Sequence, residues 1–358
     1  MRDRLSLDEM TPDAETIVLC YSSNAKKQRT FFEDMSKVCE QQSIRLVDLE
    51  QWRKADDVHA HRTFCVHKRT DDLVAAQLGD VAAEQRVRVF RAALDQCDVV
   101  VDAISAVEDM IDRQRMYTML DTALAAGVEP PALQRVPWMA VDARTESAEQ
   151  IARRMQIENV SFPVTVKTRV ACGTSWSHLI RVVSDIEGLV KVAREHIRTR
   201  DNDGIRRSAF GDGIVLQDWV PHSSVVFKVY SIGERVYHVE PRRSFTLEAH
   251  SWPAVFVINS QDQKETLNAH PSIEEFGDHI ANAGRPASLE VPSMQIIQDL
   301  VMRIQAHSKL SLLGIDIAKD ERTGRYAVLD VNYFPTFRSV PDAHAHLLQH
   351  VLHQGSRV

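Results

Sequence analysis

Near the C-terminus, the run Val328-Leu329-Asp330-Val331-Asn332 sets an aspartate and an asparagine two residues apart in an apolar, β-type segment. Alternate residues of a strand project from one face, so the two side chains stand together, roughly 7 Å apart along the chain. Asp316, in Gly314-Ile315-Asp316-Ile317, ends an earlier apolar segment, Leu312–Ile317, and the short turn Asp320–Gly324 would pair it antiparallel with Tyr326–Val331. Three oxygen donors converging at strand ends suit magnesium, which takes one or two carboxylates and fills its shell with water and phosphate oxygens. A lone aspartate at a strand end is usually a turn residue. The D-x-N pair beside a second acidic strand end is what points to metal.

Two lysines add a second signal. Lys167 in VTVKTRV and Lys228 in VVFKVYS interrupt β-rich runs. A lysine there costs burial energy unless its ammonium reaches water or an anion. Either one alone reads equally well as a snorkelling edge-strand lysine. Flanking Gln217-Asp218-Trp219-Val220, the pair suggests a clamp on nucleotide phosphates. The sequence has no G-x-x-x-x-G-K-[ST] loop, and no kinase Gly-rich loop followed by H-R-D and D-F-G, so the two commonest ATP-binding architectures are excluded.

The elements that must carry these groups follow from periodicity. Ile17–Tyr21, Ile44–Leu49, Phe64–His67 and Val99–Ala103 read as strands, with helices at Lys26–Glu40 and Val81–Gln96 between them. That alternation predicts a mostly parallel, Rossmann-like sheet over 12–104. A central lobe over 105–222 begins with helical text at Met110–Leu124 and Thr145–Met155. It continues into a strand, Phe162–Val170, with Phe162, Val164 and Val166 on one face and Thr165, Lys167 and Arg169 on the other. Ser184 with Glu187 reads as a capping box opening a helix to Ile197, and Gly213–Val220 is β-rich. In a C-terminal lobe over 223–355, Val225–Val239 is β-rich with a turn at Gly233-Glu234. Thr246–Glu290 reads as long loops, Ser293 caps a helix, and Asp342–His353 closes the chain.

The 358 residues carry 44% apolar and 26% charged side chains, as a soluble globular protein does. No apolar run reaches the roughly 20 residues that span a bilayer. Five cysteines without C-x-x-C spacing argue against a disulfide framework or zinc site and suit a cytoplasmic location. A net charge of −7 argues against nucleic-acid or membrane partners. His344, His346, His350 and His353 lie on the last helix opposite an apolar stripe, so a solvated polar face is expected rather than a metal site.

Several segments together resemble the inositol 1,3,4-trisphosphate 5/6-kinases, also called inositol-tetrakisphosphate 1-kinases. They are FPVTVKTRVACGTSWSH from Phe162, VLQDWVPHSSVVFK from Val215, GIDI from Gly314 and VLDVNYFP from Val328. Val66–Asp71 and Ile111-Asp112-Arg113 extend the match, which runs in order from Ile17 to the C-terminus. The resemblance implies an α/β, ATP-grasp fold whose two α+β lobes enclose ATP. It implies magnesium, as two ions, and transfer of the γ-phosphate to a hydroxyl of a soluble inositol polyphosphate by a monomer.

By the same resemblance, Arg113 and Lys167 contact ATP phosphates, and Gln217, Asp218, Trp219 and Val220 form the hinge strand that meets adenine. Lys228 is shared between nucleotide and inositol phosphates. Asp316, Asp330 and Asn332 are the metal ligands, with Asn332 also near substrate, and Lys167, Lys228 and Asp330 carry the catalysis. Ser244 and Ser260 are nucleotide-contacting serines. His178, His67, Lys68, one of Lys26 or Lys27, and Arg242 hold inositol phosphates, with Arg169, Arg243 and Arg338 as further cations. Cys172 stands where many members have histidine or aspartate, one extra residue precedes His178, and Thr336 replaces a glycine after N-x-F-P. The competing readings are an ATP-grasp carboxylate–amine ligase and a non-catalytic inositol-phosphate binder.

Overall fold

A computed structural model describes residues 16–23, 25–52, 61–125, 132–202, 210, 213–222, 225–243, 254–259 and 291–356. Element order starts with β1 (Thr16–Ser23), α1 (Ala25–Glu40), β2 (Arg45–Asp48), α2 (Leu49–Trp52) and β3 (His61–Lys68). Helices α3 (Thr70–Gln77) and α4 (Val81–Leu94) follow, then β4 (Val99–Val101), α5 (Ile104–Met110) and α6 (Arg113–Ala125). Next come β5 (Leu133–Gln134), β6 (Trp138–Asp142), α7 (Ala148–Ile157), β7 (Val164–Thr168), β8 (Leu179–Val183), α8 (Ile186–Asn202) and β9 (Gly213–Asp218). The last third holds β10 (Val225–Ile232), β11 (Arg235–Arg243), β12 (Val255–Asn259), α9 (Met294–Ser308), β13 (Leu312–Lys319), β14 (Tyr326–Tyr333) and α10 (Ala343–Gly355).

The chain divides into two compact units. The first comprises Met1–Arg69, Arg88–Val101 and Asp342–Val358. Its sheet runs β2-β1-β3-β4 with every pair parallel. Residues Val18–Ser23 are buried without a break, as a strand covered on both faces requires. α10 belongs to this unit, and Gly355 packs so tightly on Phe64 that any β-carbon would collide with the ring. His344 lies edge-on to Phe31 at 5.7 Å, so this end of the histidine row packs against α1 instead of facing water.

The second unit, Thr70–Val87 with Asp102–Pro341, holds two five-stranded sheets. One runs β12-β8-β7-β9-β6, the other β11-β10-β13-β14-β5. Helices α7 and α8 cover the first sheet through Ile151, Met155, Leu189 and Val192, which pack on Val164 and Leu216. Ser147 and Gln150 form a full capping box at α7. The outer edge of β6 is closed: Arg154 donates to Ala140 O at 2.9 Å, Glu146 accepts from Asp142 N at 2.8 Å, and the two side chains pair.

Three local expectations are corrected. The helix expected over Met110–Leu124 is broken at Ile111-Asp112, because Asp112 bridges to Val170 and Arg113 N donates to Arg169 O. Asp185, not Ser184, caps α8, accepting from Gly188 N at 2.8 Å. Part of the stretch expected to be loops forms β12, which pairs antiparallel with β8. Both faces of β7 are buried. No helix among the described residues is long and apolar enough to cross a membrane.

Candidate active site

Strands β10, β13 and β14 carry a row of charged side chains in cross-strand register. Lys228 stands opposite Asp316, and Asp316 opposite Asp330. Lys228 Nζ lies 3.0 Å from each carboxylate oxygen of Asp316. Asn332, opposite Gly314, donates from Nδ2 to Asp316 Oδ2 at 3.4 Å. The structure therefore brings together Lys228, Asp316, Asp330 and Asn332. Gly314 leaves room beside them: a β-carbon there would sit 3.2 Å from Pro335 and 3.5 Å from Lys228 Cε.

A bulge shapes the same strand pair. The register passes from Asp316↔Asp330 to Ile317↔Val328 and leaves Leu329 without an opposite residue. Val328 and Val331 can thus both be buried while Asp330 and Asn332 stay partly exposed. The Leu329 carbonyl accepts from Lys167 Nζ at 2.8 Å and from Tyr117 OH at 3.0 Å. Lys167 Nζ also bonds Tyr117 OH at 2.8 Å and Gln217 Oε1 at 3.1 Å, so its three protons have three acceptors. The side chain is 4% exposed. Burial pushes its pKa down to about 8, Arg113 adds to the fall, and Asp330 and Asp316 oppose it. Tyr117 was not singled out in the sequence. Its signal is its place four residues after Arg113, on the same buried face of α6.

Arg113 is turned inward. Its guanidinium bonds the carbonyls of Thr168 and Val170 at 2.8 Å and of Ser177 at 3.1 Å. It therefore holds the loop from Val170 to His178, whose 3₁₀ turn is capped by Thr174. Gly173, at φ +78°, lets this loop approach Val74 of α3. Arg169 forms a bidentate pair with buried Asp112, at 2.7 to 3.1 Å, so its charge is already matched inside the protein. His178 ends the 3₁₀ turn, half-buried.

The expected hinge follows β9. Asp218 N donates to Pro137 O at 2.9 Å, Trp219 N to Pro163 O at 3.0 Å, and the Asp218 carboxylate accepts from Ser161 N at 2.8 Å. Burial raises the Asp218 pKa against these hydrogen bonds. Val220 packs on Val136, Ala318 and Ala327, tying the hinge to the second sheet. Thr336 is exposed and does not take a positive φ; Phe334 and Phe337 take φ values of +42° and +51° instead.

In the first unit, His67 is fully buried with its ring 5.1 Å from Phe90, and Lys68 follows it, half-buried, at the end of β3. Lys26 and Lys27 lie on α1, and Arg242 stands opposite Val226 on β11. The side chains of these three, and Ser244 and Ser260 altogether, fall outside the described residues. Two grooves of about 460 Å³ flank β6 and α6 and share Gln114 and Arg169; neither includes Lys167, Lys228, Asp316 or Asp330.

Asp316, Asp330 and Asn332 offer two carboxylates and an amide on neighbouring strands. Among the described residues no group of three or more His, Cys, Asp or Glu is placed to hold a metal by itself. A cation on this set would need further oxygens from water and phosphate, which is the coordination magnesium prefers.

A family model for the inositol 1,3,4-trisphosphate 5/6-kinase ATP-grasp domain matches residues 202–353. Inositol-tetrakisphosphate 1-kinase of Xenopus laevis is 24% identical over 339 residues, covering 92% of this chain and 77% of that protein. Over these residues the chain is similar to the inositol 1,3,4-trisphosphate 5/6-kinase family. Inositol-tetrakisphosphate 1-kinase 1 of Arabidopsis thaliana is also 24% identical, over 91% of this chain and 92% of its own.

Among solved structures, the ATP-grasp ligase PsnB with its minimal precursor superposes at a TM-score of 0.55 and 12% identity, over 95% of this chain and 100% of that one. The D-alanine–D-alanine ligase of Bacillus anthracis superposes at 0.54 and 10%, over 96% and 98%. These likenesses establish the ATP-grasp fold and nothing finer.

Proposed function

We propose that this protein is an ATP- and magnesium-dependent kinase that moves the γ-phosphate of ATP onto a free hydroxyl of a soluble inositol polyphosphate. The observation that carries the reading is the cross-strand row Lys228–Asp316–Asp330 in a chain similar to this family, with Lys167 buried against the bulge of β14. Phosphoryl transfer needs positioning and charge neutralisation more than covalent chemistry, and this row supplies both signs of charge.

Asp316, Asp330 and Asn332 would hold magnesium, read here as two ions. Bound there, the metal would neutralise charge on the β- and γ-phosphates. Lys228 pairs with Asp316, and nucleotide and metal would have to draw its ammonium off the carboxylate. Lys167 likewise exchanges an internal acceptor for a phosphate oxygen. Arg113 acts through the Val170–His178 loop by fixing its carbonyls. The hinge Gln217–Val220 offers adenine a backbone already fastened by Pro137 and Pro163. We read the protein as a cytoplasmic monomer.

Incubation with γ-labelled ATP and a panel of inositol tris- and tetrakisphosphates tests the reading. Label should pass to an inositol phosphate, and chelating divalent cations should stop it. ADP release that instead requires an amino acid or peptide amine would establish a ligase and defeat the proposal.

A further inference from the structure

The first unit holds a second concentration of reactive groups. β1 and β3 pair in parallel with Cys20 opposite Cys65, and both side chains are wholly shielded. The turn between α4 and β4 brings Cys97 within hydrogen-bonding reach of both thiols. That turn is fixed. Asp98 N donates to Thr63 O at 3.0 Å, and the Asp98 carboxylate accepts from Thr63 N at 2.7 Å and from its hydroxyl at 2.9 Å. Cys97 itself is only half-buried, and its Sγ lies 3.7 Å from Ala93 O. The remaining cysteines stand apart, Cys39 buried on α1 and Cys172 in a loop of the other unit.

We propose that Cys97 is a site of reversible oxidation, at which a hydroperoxide forms a sulfenic acid that Cys20 or Cys65 then resolves to a disulfide. Nothing in the kinase chemistry uses these residues. The three thiols are not equivalent. Hydrogen bonds from Cys20 first, and then Cys65, hold the Cys97 thiol well below the ordinary range, outweighing burial and the neighbouring Asp98. The Cys97 contact and burial push Cys20 up, and burial before the Cys97 contact does the same to Cys65. Cys97 is the member an oxidant from solvent reaches first, with the shielded pair behind it.

The steps balance. The Cys97 thiolate attacks one peroxide oxygen, an S–O bond forms as the O–O bond breaks, and the departing hydroxide takes up the released proton as water. The second thiol then attacks the Cys97 sulfur, an S–S bond forms as the S–O bond breaks, and a second water leaves. Two thiols and one peroxide give one disulfide and two waters.

The full-length protein, reduced and then exposed to a slight excess of hydrogen peroxide at neutral pH, tests the proposal by alkylation and peptide mass mapping. The expected product is a dithiothreitol-reversible peptide joining Cys97 to Cys20 or Cys65, formed faster than Cys172 is oxidised. Cys97→Ser should eliminate that peptide and Cys172→Ser should leave it unchanged. The mapping on the unsubstituted protein decides the matter even if Cys97→Ser folds poorly. A Cys97 that stays alkylatable while Cys172 oxidises overturns the proposal. So does a Cys97 that proceeds to sulfinic acid while Cys20 and Cys65 remain free thiols.

Discussion

Lys228 and Asp316 face one another across β10 and β13 with the ammonium 3.0 Å from both carboxylate oxygens. The pair is partly exposed, with side chains at 14% and 23%, so it contributes about 1 kcal/mol or less to folding. Its importance lies in what each group must do once separated. Asp316→Asn and Asp330→Asn should each cut kcat/KM at least about 100-fold, a loss typical of removed charge stabilisation. Both should raise the magnesium concentration needed for half-maximal rate and move Tm by no more than about 3 °C. Steady-state kinetics over a magnesium series, beside a thermal melt, checks this. Full activity in Asp330→Asn would remove the aspartate from the metal site.

The pH dependence of nucleotide binding follows from Lys167. Its pKa in the folded protein, about 8, lies below the ordinary value of 10.5. A depressed folded pKa means that the unfolded chain binds more protons between those values. Stability from this group therefore rises from about pH 8 to 10.5 and is absent at lower pH. On the proposed reading ATP needs the ammonium charged, so ATP affinity should weaken about tenfold per pH unit above about 8. Binding near that pH should take up a proton. Calorimetry in buffers of different ionisation enthalpy measures the uptake, and Lys167→Met should lose it. An affinity level from pH 7 to 9.5 would count against the assignment.

Tyr117→Phe removes the hydroxyl that touches Lys167 Nζ, Gln217 Oε1 and Leu329 O. Losing one buried donor should cost about 1–2 kcal/mol of stability. With Lys167 less well aimed, KM for ATP should rise about five- to tenfold and kcat should change less. Tyr117→Leu should be worse on both counts, because the ring also stacks 5.4 Å from Trp138. If Tyr117→Phe binds ATP as the parent does, Tyr117 serves packing alone.

Gly314→Ala would place a methyl 3.2 Å from Pro335 and 3.5 Å from Lys228 Cε. Overpacking of that size costs about 1 kcal/mol in stability. The larger effect should fall on catalysis, with kcat/KM down about tenfold as Lys228 and the segment after β14 shift. Parallel melts and kinetics separate the two. Catalysis matching the parent would show that this corner has room to spare.

At Thr336, the glycine usual for the family would bring no relief of strain, since the positive φ angles sit at Phe334 and Phe337. Thr336→Gly should therefore destabilise, by about 0.4–1 kcal/mol, through added freedom in the unfolded chain. Chemical denaturation gives the sign directly. A stabilising substitution would mean that threonine is strained here.

The parts of the site legible in the sequence were those encoded within a few residues. The D-x-N spacing fixed Asp330 and Asn332 on one face, and a short turn paired them with Asp316. A lysine in an apolar strand marked Lys167 as a residue with an unusual partner. What stayed hidden depends on distant chain segments. The inward turn of Arg113 is decided by carbonyls more than fifty residues away at Thr168, Val170 and Ser177. The break at Ile111-Asp112 coincides with a bridge from Asp112 to the distant Val170. Asp185 caps in place of Ser184 because α8 starts at Ile186, a one-residue shift that leaves no sequence trace. β12 is recruited as an edge by β8, and its short Val255–Ile258 run was masked by the polar, turn-rich text around it.

The unmatched Leu329 is one residue more than the ladder needs, taken up without turning any neighbour over. Take it away and Val328 and Asp330 keep the outlooks they have, while the carbonyl that steadies Lys167 moves. Deletion of Leu329 should thus spare the sheet and unsettle Lys167.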